Sequence, residues 1–104
     1  EIKKLLIKNE YDYIFTHGFN GEYGHIRHKE IHKTVKNMIK RKELTCKKLF
    51  CFSYKKIKDF CYINPNADKF IRLDNSTFSK KKNLIMEVYG FPKNGFEEKS
   101  SGKT

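Results

Sequence analysis

The chain is expected to adopt an α/β fold with a largely parallel sheet. Three strand-length runs of aromatic and β-branched residues alternate with stretches of helical periodicity, and strands that alternate with helices settle into parallel sheets. The first strand run also ends in a loop rich in glycine and histidine. Ligands of open α/β sheets gather there, at the carboxyl ends of strands.

The elements follow in order. Ile2, Leu5 and Leu6 stand at i, i+3 and i+4 with no Ser, Thr, Asp or Asn before them as a cap. The chain is therefore expected to begin within a helix and to form the carboxy-terminal part of a longer domain. Tyr11-Asp12-Tyr13-Ile14-Phe15 predicts a buried strand that delivers His17 to the loop. From His28 to about Lys42, Ile31, Val35, Met38 and Ile39 share one face and Lys29, Lys33, Lys36 and Lys40 take others, the pattern of an amphipathic helix. Strands are expected over 48–54 and, after the turn signal Asn64-Pro65-Asn66, over 69–73. Asp74-Asn75-Ser76-Thr77 offers caps for a last helix whose Leu84, Ile85 and Val88 face inward and which stops at Gly90 and Pro92. Residues 1–96 are thus assigned to one domain portion and 97–104 to a polar, flexible tail.

A chain of 104 residues makes one small domain, which buries roughly two-thirds of the surface its unfolded form exposes. The formal net charge of +11 invites an anionic partner such as nucleic acid. Arg27, Arg41 and Arg72 are the only arginines, however, so bidentate contacts to phosphate and guanine are scarce, and the lysines suit a solvated surface better. Nucleic acid is not favoured as a partner. Cys46, Cys51 and Cys61 are odd in number and form no C-x-x-C pair, which points to no disulfide framework and to a reducing, cytoplasmic setting in which they are small core residues. No apolar run approaches the roughly 20 residues of a membrane-spanning helix.

His17, His25, His28 and His32 are all the histidines of the chain, and they lie within one short window. On a helix, His25 and His28 are neighbours at i, i+3 and His28 and His32 at i, i+4, so pairs of imidazoles can face one pocket. Two readings stay open on these residues alone: a partial metal site, or loop and helix-start histidines bonded to backbone. His28-Lys29-Glu30-Ile31-His32 misplaces the glutamate of a metalloprotease H-E-x-x-H. Gly18, Gly21 and Gly24 form G-x-x-G-x-x-G, which is not the dinucleotide fingerprint, although glycines there allow positive φ and close approach to a ligand. Ser101-Gly102-Lys103-Thr104 imitates the end of a phosphate-binding loop but has Glu97 where a glycine is needed and no helix after it.

Phe15-Thr16-His17 through Gly21-Glu22-Tyr23-Gly24-His25-x-x-His28-x-x-x-His32 resembles the second signature of the PIG-L/LmbE family of zinc-dependent sugar de-N-acetylases. The likeness is close over residues 11–35, with a weaker one at Tyr89-Gly90-Phe91 and Phe96-Glu97. It implies a Rossmann-like layered fold and an earlier H-P-D-D signature that this chain lacks. It further implies that His28 is a Zn²⁺ ligand, that His25 stabilises the transition state and protonates the departing amine, and that Tyr23 lies beside the acyl oxygen. The implied chemistry is zinc activation of water for attack on an acetamide carbonyl. In that setting His17 lines the sugar pocket or is bonded to backbone, Glu22 binds a sugar hydroxyl or His17 or braces the loop, and His32 packs behind His28. Many relatives read His-Pro-Asp-His where this chain has His25-Ile26-Arg27-His28, a cation in place of an anion, and Arg27 is expected to face solvent. The function so implied is removal of the acetyl group from an N-acetylglucosamine-type sugar conjugate, this chain supplying half of the active site. The alternative is a lysine-rich, non-catalytic module for anionic partners.

Overall fold

In the computed structural model, which describes residues 2–104, the chain opens on a helical turn, α1 (Ile2–Leu5), and enters strand β1 (Glu10–Thr16). The histidine window starts at the end of β1, passes through the short α2 (Gly21–Gly24) and continues as α3 (Ile26–Lys40). Strand β2 (Thr45–Cys51) then returns parallel to β1, with Tyr11 opposite Cys46, Ile14 opposite Leu49 and Thr16 opposite Cys51. This is a β-α-β unit: the long crossover that parallel strands need is here a helix laid on the pair.

Val35 and Met38 of α3 and Leu44 just before β2 are the buried centre, with Ile2, Leu6, Tyr11, Ile14, Ile39 and Leu49 packed against them. The helical face expected from the apolar spacing is therefore the one buried, except that Ile31 at its start stays exposed. Ile2 of α1 and Leu6 just after it join this core, whereas Leu5 turns outward. β1 is not the buried strand its run of apolar residues predicts. Its Ile14 faces the core and Tyr11, near the start of the strand, also packs against it, while Tyr13 and Phe15, 59% and 64% exposed, lie on the face opposite Ile14. Side chains alternate along a strand, and only one face of this one is covered by a helix.

The residues through Phe52 form one compact unit and Ser53–Thr104 a second. In the second, β3 (Tyr54–Ile57) and β4 (Phe60–Ile63) form an antiparallel hairpin across Lys58-Asp59, with Lys58 at φ 55°. The chain therefore carries two two-stranded sheets among its described residues, one parallel and one antiparallel, rather than one largely parallel sheet. The strand expected over 69–73 does not form. Its backbone finds no ladder; Leu73 donates its N–H to Lys103 O at 2.7 Å, and Phe70 and Ile71 stay exposed.

The last helical stretch is α4 (Asn75–Asn83), capped by Asp74, whose carboxylate accepts the Thr77 N–H at 2.6 Å. It widens into a π turn over Leu84–Val88 before Gly90 leaves the helix at φ 75°. Leu84 and Val88 are exposed there, contrary to the inward face expected of them, because the wider turn breaks the 3.6-residue spacing that would have aligned them with Ile85. α5 (Phe96–Lys99) follows, and Lys82 pairs with Glu98 at 3.3 Å. Cys61 is buried as a core thiol, its N–H bonded to Ser100 Oγ at 2.9 Å, but Cys51 is exposed and Cys46 half-buried. All three are free thiols.

Candidate metal and imidazole site

Backbone bonds build the site before any side chain enters it. Phe52 N–H bonds to Thr16 O at 2.9 Å, closing the end of the β1–β2 pair, and Gly21 N–H bonds to Gly18 O at 3.0 Å. The loop then turns tightly through Gly21 at φ 65° and Gly24 at φ 88°. Gly18 meets a different constraint: a Cβ there would overlap the Phe52 carbonyl oxygen. Asn20 Oδ1 accepts the Glu22 N–H at 3.0 Å, and Glu22 itself is held at φ 62°, ψ −60°. That conformation is rare and strained for a residue with a side chain, and it swings the Glu22 carboxylate inward.

Glu22 is the centre of the cluster, its side chain only 9% exposed. Oε1 accepts the Gly18 N–H at 2.9 Å and lies 3.3 Å from His17 Nδ1. Oε2 lies 3.0 Å from His28 Nδ1. The rings of His17 and His28 stack, centroids 3.8 Å apart and 9° from parallel, and His25 stacks on His28 at 4.5 Å. Tyr23 sets its ring edgewise against both His28 and His25, at 5.4 and 5.7 Å. His17, Glu22 and His28 offer ligand atoms that lie within 4.8 Å of one another, a spacing at which they could hold a metal ion.

His25 is the N-cap of α3: its Nδ1 accepts the Arg27 N–H at 3.2 Å. Arg27 faces solvent as expected, 79% exposed, with Glu30 at 3.7 Å. His32 is bonded to backbone, its Nδ1 donating to His17 O at 2.8 Å. One turn of α3 thus clamps the end of β1. Cys51 Sγ lies 3.8 Å from the same nitrogen, but desolvation pushes its thiol up, with Glu22 adding to the effect and Lys36 opposing it, so it stays protonated.

Of the residues singled out in the sequence, the loop therefore brings together His17, Glu22, Tyr23, His25 and His28. What the sequence did not display is how they are held: the role of Asn20 in setting Glu22, and the sharing of one carboxylate between two imidazoles. An Asn two residues before Glu22 is the signal of such a turn. A groove of about 560 Å³ between α3 and β2 is lined by Lys36, Asn37, Ile39, Lys40, Cys46, Lys47 and Leu49 and shares no residue with this cluster. Among the described residues no helix is long and apolar enough to cross a membrane. Compared with known family models, curated proteins and solved structures, the chain matches none.

Proposed function

We propose that this chain contributes one half of the active site of a zinc-dependent hydrolase that removes the acetyl group from an N-acetylated amino-sugar conjugate. The observation that carries the reading is the environment of His28: a half-buried imidazole, anchored through Nδ1 to a buried carboxylate, at the ligand position of the G-E-Y-G-H-x-x-H segment. An imidazole anchored this way leaves Nε2 to bind a metal, and imidazole nitrogen suits Zn²⁺. The remaining ligands come from outside these residues. The β1–α3–β2 unit supports reading the chain as part of a Rossmann-like layered domain, with the site at the carboxyl end of β1.

Zinc, when bound, would supply a water of lowered pKa and positive charge to the reaction. The chain's own residues do the rest. Tyr23, packed edgewise on His28, lies beside the acyl oxygen and donates to its developing charge. His25 acts in two states. Neutral and capping α3 through Nδ1, it carries its hydrogen on Nε2 and can donate to the same oxygen; on receiving the proton that the attacking water releases it becomes imidazolium, gives up the cap and protonates the amine, which would otherwise be a poor leaving group.

The test is acetate release by the protein with its missing ligands restored, assayed across N-acetylated sugar conjugates and, as controls, esters and peptides. Release from the sugars is expected, together with loss of bound zinc in His28→Ala. Activity confined to esters or peptides, or full zinc occupancy in His28→Ala, overturns the reading.

A further inference from the structure

We infer that Glu22 is a positioning residue that fixes two imidazoles at once: its carboxylate accepts the Nδ1 hydrogens of His17 and His28, so each ring keeps a lone pair on Nε2. The inference rests on the proposed function only where it assigns the His28 lone pair to zinc. The chemistry is one-sided. An ionised carboxylate has acceptors and no donor, so a ring nitrogen 3.0 or 3.3 Å away must bring the hydrogen. A neutral imidazole has one N–H, and placing it on Nδ1 leaves Nε2 bare. A backbone donor holds the carboxylate in place, since Gly18 N–H bonds to Oε1 at 2.9 Å. With little solvent at hand, these three donors are what satisfies a buried charge.

The same three side chains suggest another use, with Glu22, His17 and His28 all binding one ion directly. Distance does not exclude it, because ligands about 2.0–2.2 Å from a tetrahedral ion lie roughly 3.3 Å from one another. Orientation does. The lone pair of a ring nitrogen lies in the ring plane, and two nearly parallel rings with centroids 3.8 Å apart direct theirs side by side rather than at one point. Direct chelation through both Nδ1 atoms would have to open the stack and take Oε1 from Gly18.

The arrangement also gives His17 a definite chemistry. With Nδ1 engaged, its Nε2 is an acceptor, so the ligand group it recognises is a donor, such as a sugar hydroxyl or an amide N–H. A carbonyl or carboxylate facing the same atom would be refused. His17 and His28 therefore form a matched pair of bare nitrogens, one for a cation and one for a hydrogen-bond donor, set by a single carboxylate.

The experiment is proton-detected ¹⁵N spectroscopy of histidine-labelled full chain, first without metal at about pH 8, above the ordinary histidine pKa of ~6.5. His17 and His28 are expected to carry hydrogen on Nδ1; hydrogen on Nε2 of either ring overturns the inference. In Glu22→Gln, whose amide has one acceptor and one donor group, at least one of these rings should lose that state, and zinc affinity should fall about 10- to 100-fold with the helical circular dichroism kept. Wild-type tautomers and affinity in this variant overturn it, as does a zinc titration in which the Nδ1 signals of both rings become metal-bound. A protein that has its missing ligands restored and shows the expected tautomers but binds no zinc defeats the proposed metal role of His28 and leaves the Glu22 assignment standing.

Discussion

Glu22 holds a backbone conformation that costs a non-glycine residue about 1–3 kcal/mol, and its neighbours over-determine it: Asn20 takes its N–H and Gly18 donates to its carboxylate. Gly18 is therefore a sensitive position although its own backbone is unremarkable. We expect Gly18→Ala to destabilise the chain by about 1–3 kcal/mol, since the added methyl must push away either the Phe52 carbonyl or the loop. A fall in the denaturation midpoint together with disturbed His17 signals checks this, and a neutral variant contradicts it. At His25 the capping and chemical roles can be separated. Asn is a better helix cap than most residues, so His25→Asn should keep α3 within about 1 kcal/mol of its stability. Turnover should fall roughly 10²–10⁴-fold, the usual contribution of a general acid. Zinc lost in this variant would mean that His25, not His28, is the ligand. The residues of this cluster were legible in the sequence because chemistry-bearing side chains crowd one short window. Their bonds were not, because a single strained φ at Glu22 decides where the carboxylate goes, and residue type alone does not reveal that.

At the scale of elements, periodicity told the truth where packing backs it. α3 buries Val35 and Met38 as its spacing requires, and Met38→Ala should cost about 2–5 kcal/mol through the cavity it leaves, read as a lower denaturation midpoint with weakened helical signal. Elsewhere local pattern and final structure part company. Phe70-Ile71-Arg72-Leu73 has strand composition but no neighbouring strand to complete a ladder, and β propensity expresses fit to a sheet more than an intrinsic backbone choice. The β3–β4 hairpin carries little sequence signal for the opposite reason: it turns on Lys58-Asp59, which lacks the Asn-Gly or Asp-Gly signature of a two-residue loop. The cap of α4 was plain from Asp74, and it gives a pH dependence. The Thr77 N–H holds the Asp74 carboxyl below its ordinary value, so the folded state takes up its proton later than the unfolded chain does as pH falls. This contribution is complete above the ordinary aspartate range and disappears as pH drops through the lowered folded value. Helical signal should weaken on acidification across that window, and Asp74→Asn, which keeps a cap without the carboxyl, should flatten this part of the profile.

For the whole molecule, two features oppose each other. The formal net charge of +11 repels one copy from another, while the uncovered face of the β1–β2 pair carries Tyr13 and Phe15, with Phe15 stacked on Phe50 at 5.2 Å. Parallel strands normally have both faces covered, and here α3 covers one. Which effect governs solution behaviour depends on salt, because the screening length falls from ~30 Å at about 0.01 M to ~3 Å at about 1 M. Apolar burial survives that change and charge repulsion does not. We therefore expect a monomer at low salt and progressive self-association as salt rises, measured by sedimentation velocity. Phe15→Thr should suppress that association, since threonine keeps strand propensity but removes the ring. The loss of one aromatic pair, worth about 0.5–1.5 kcal/mol beyond its buried area, leaves the α3 side of the sheet intact. If association rises equally in the variant, the contact lies on another surface; if it falls with salt in the native chain, ion pairs rather than the aromatic face hold the copies together.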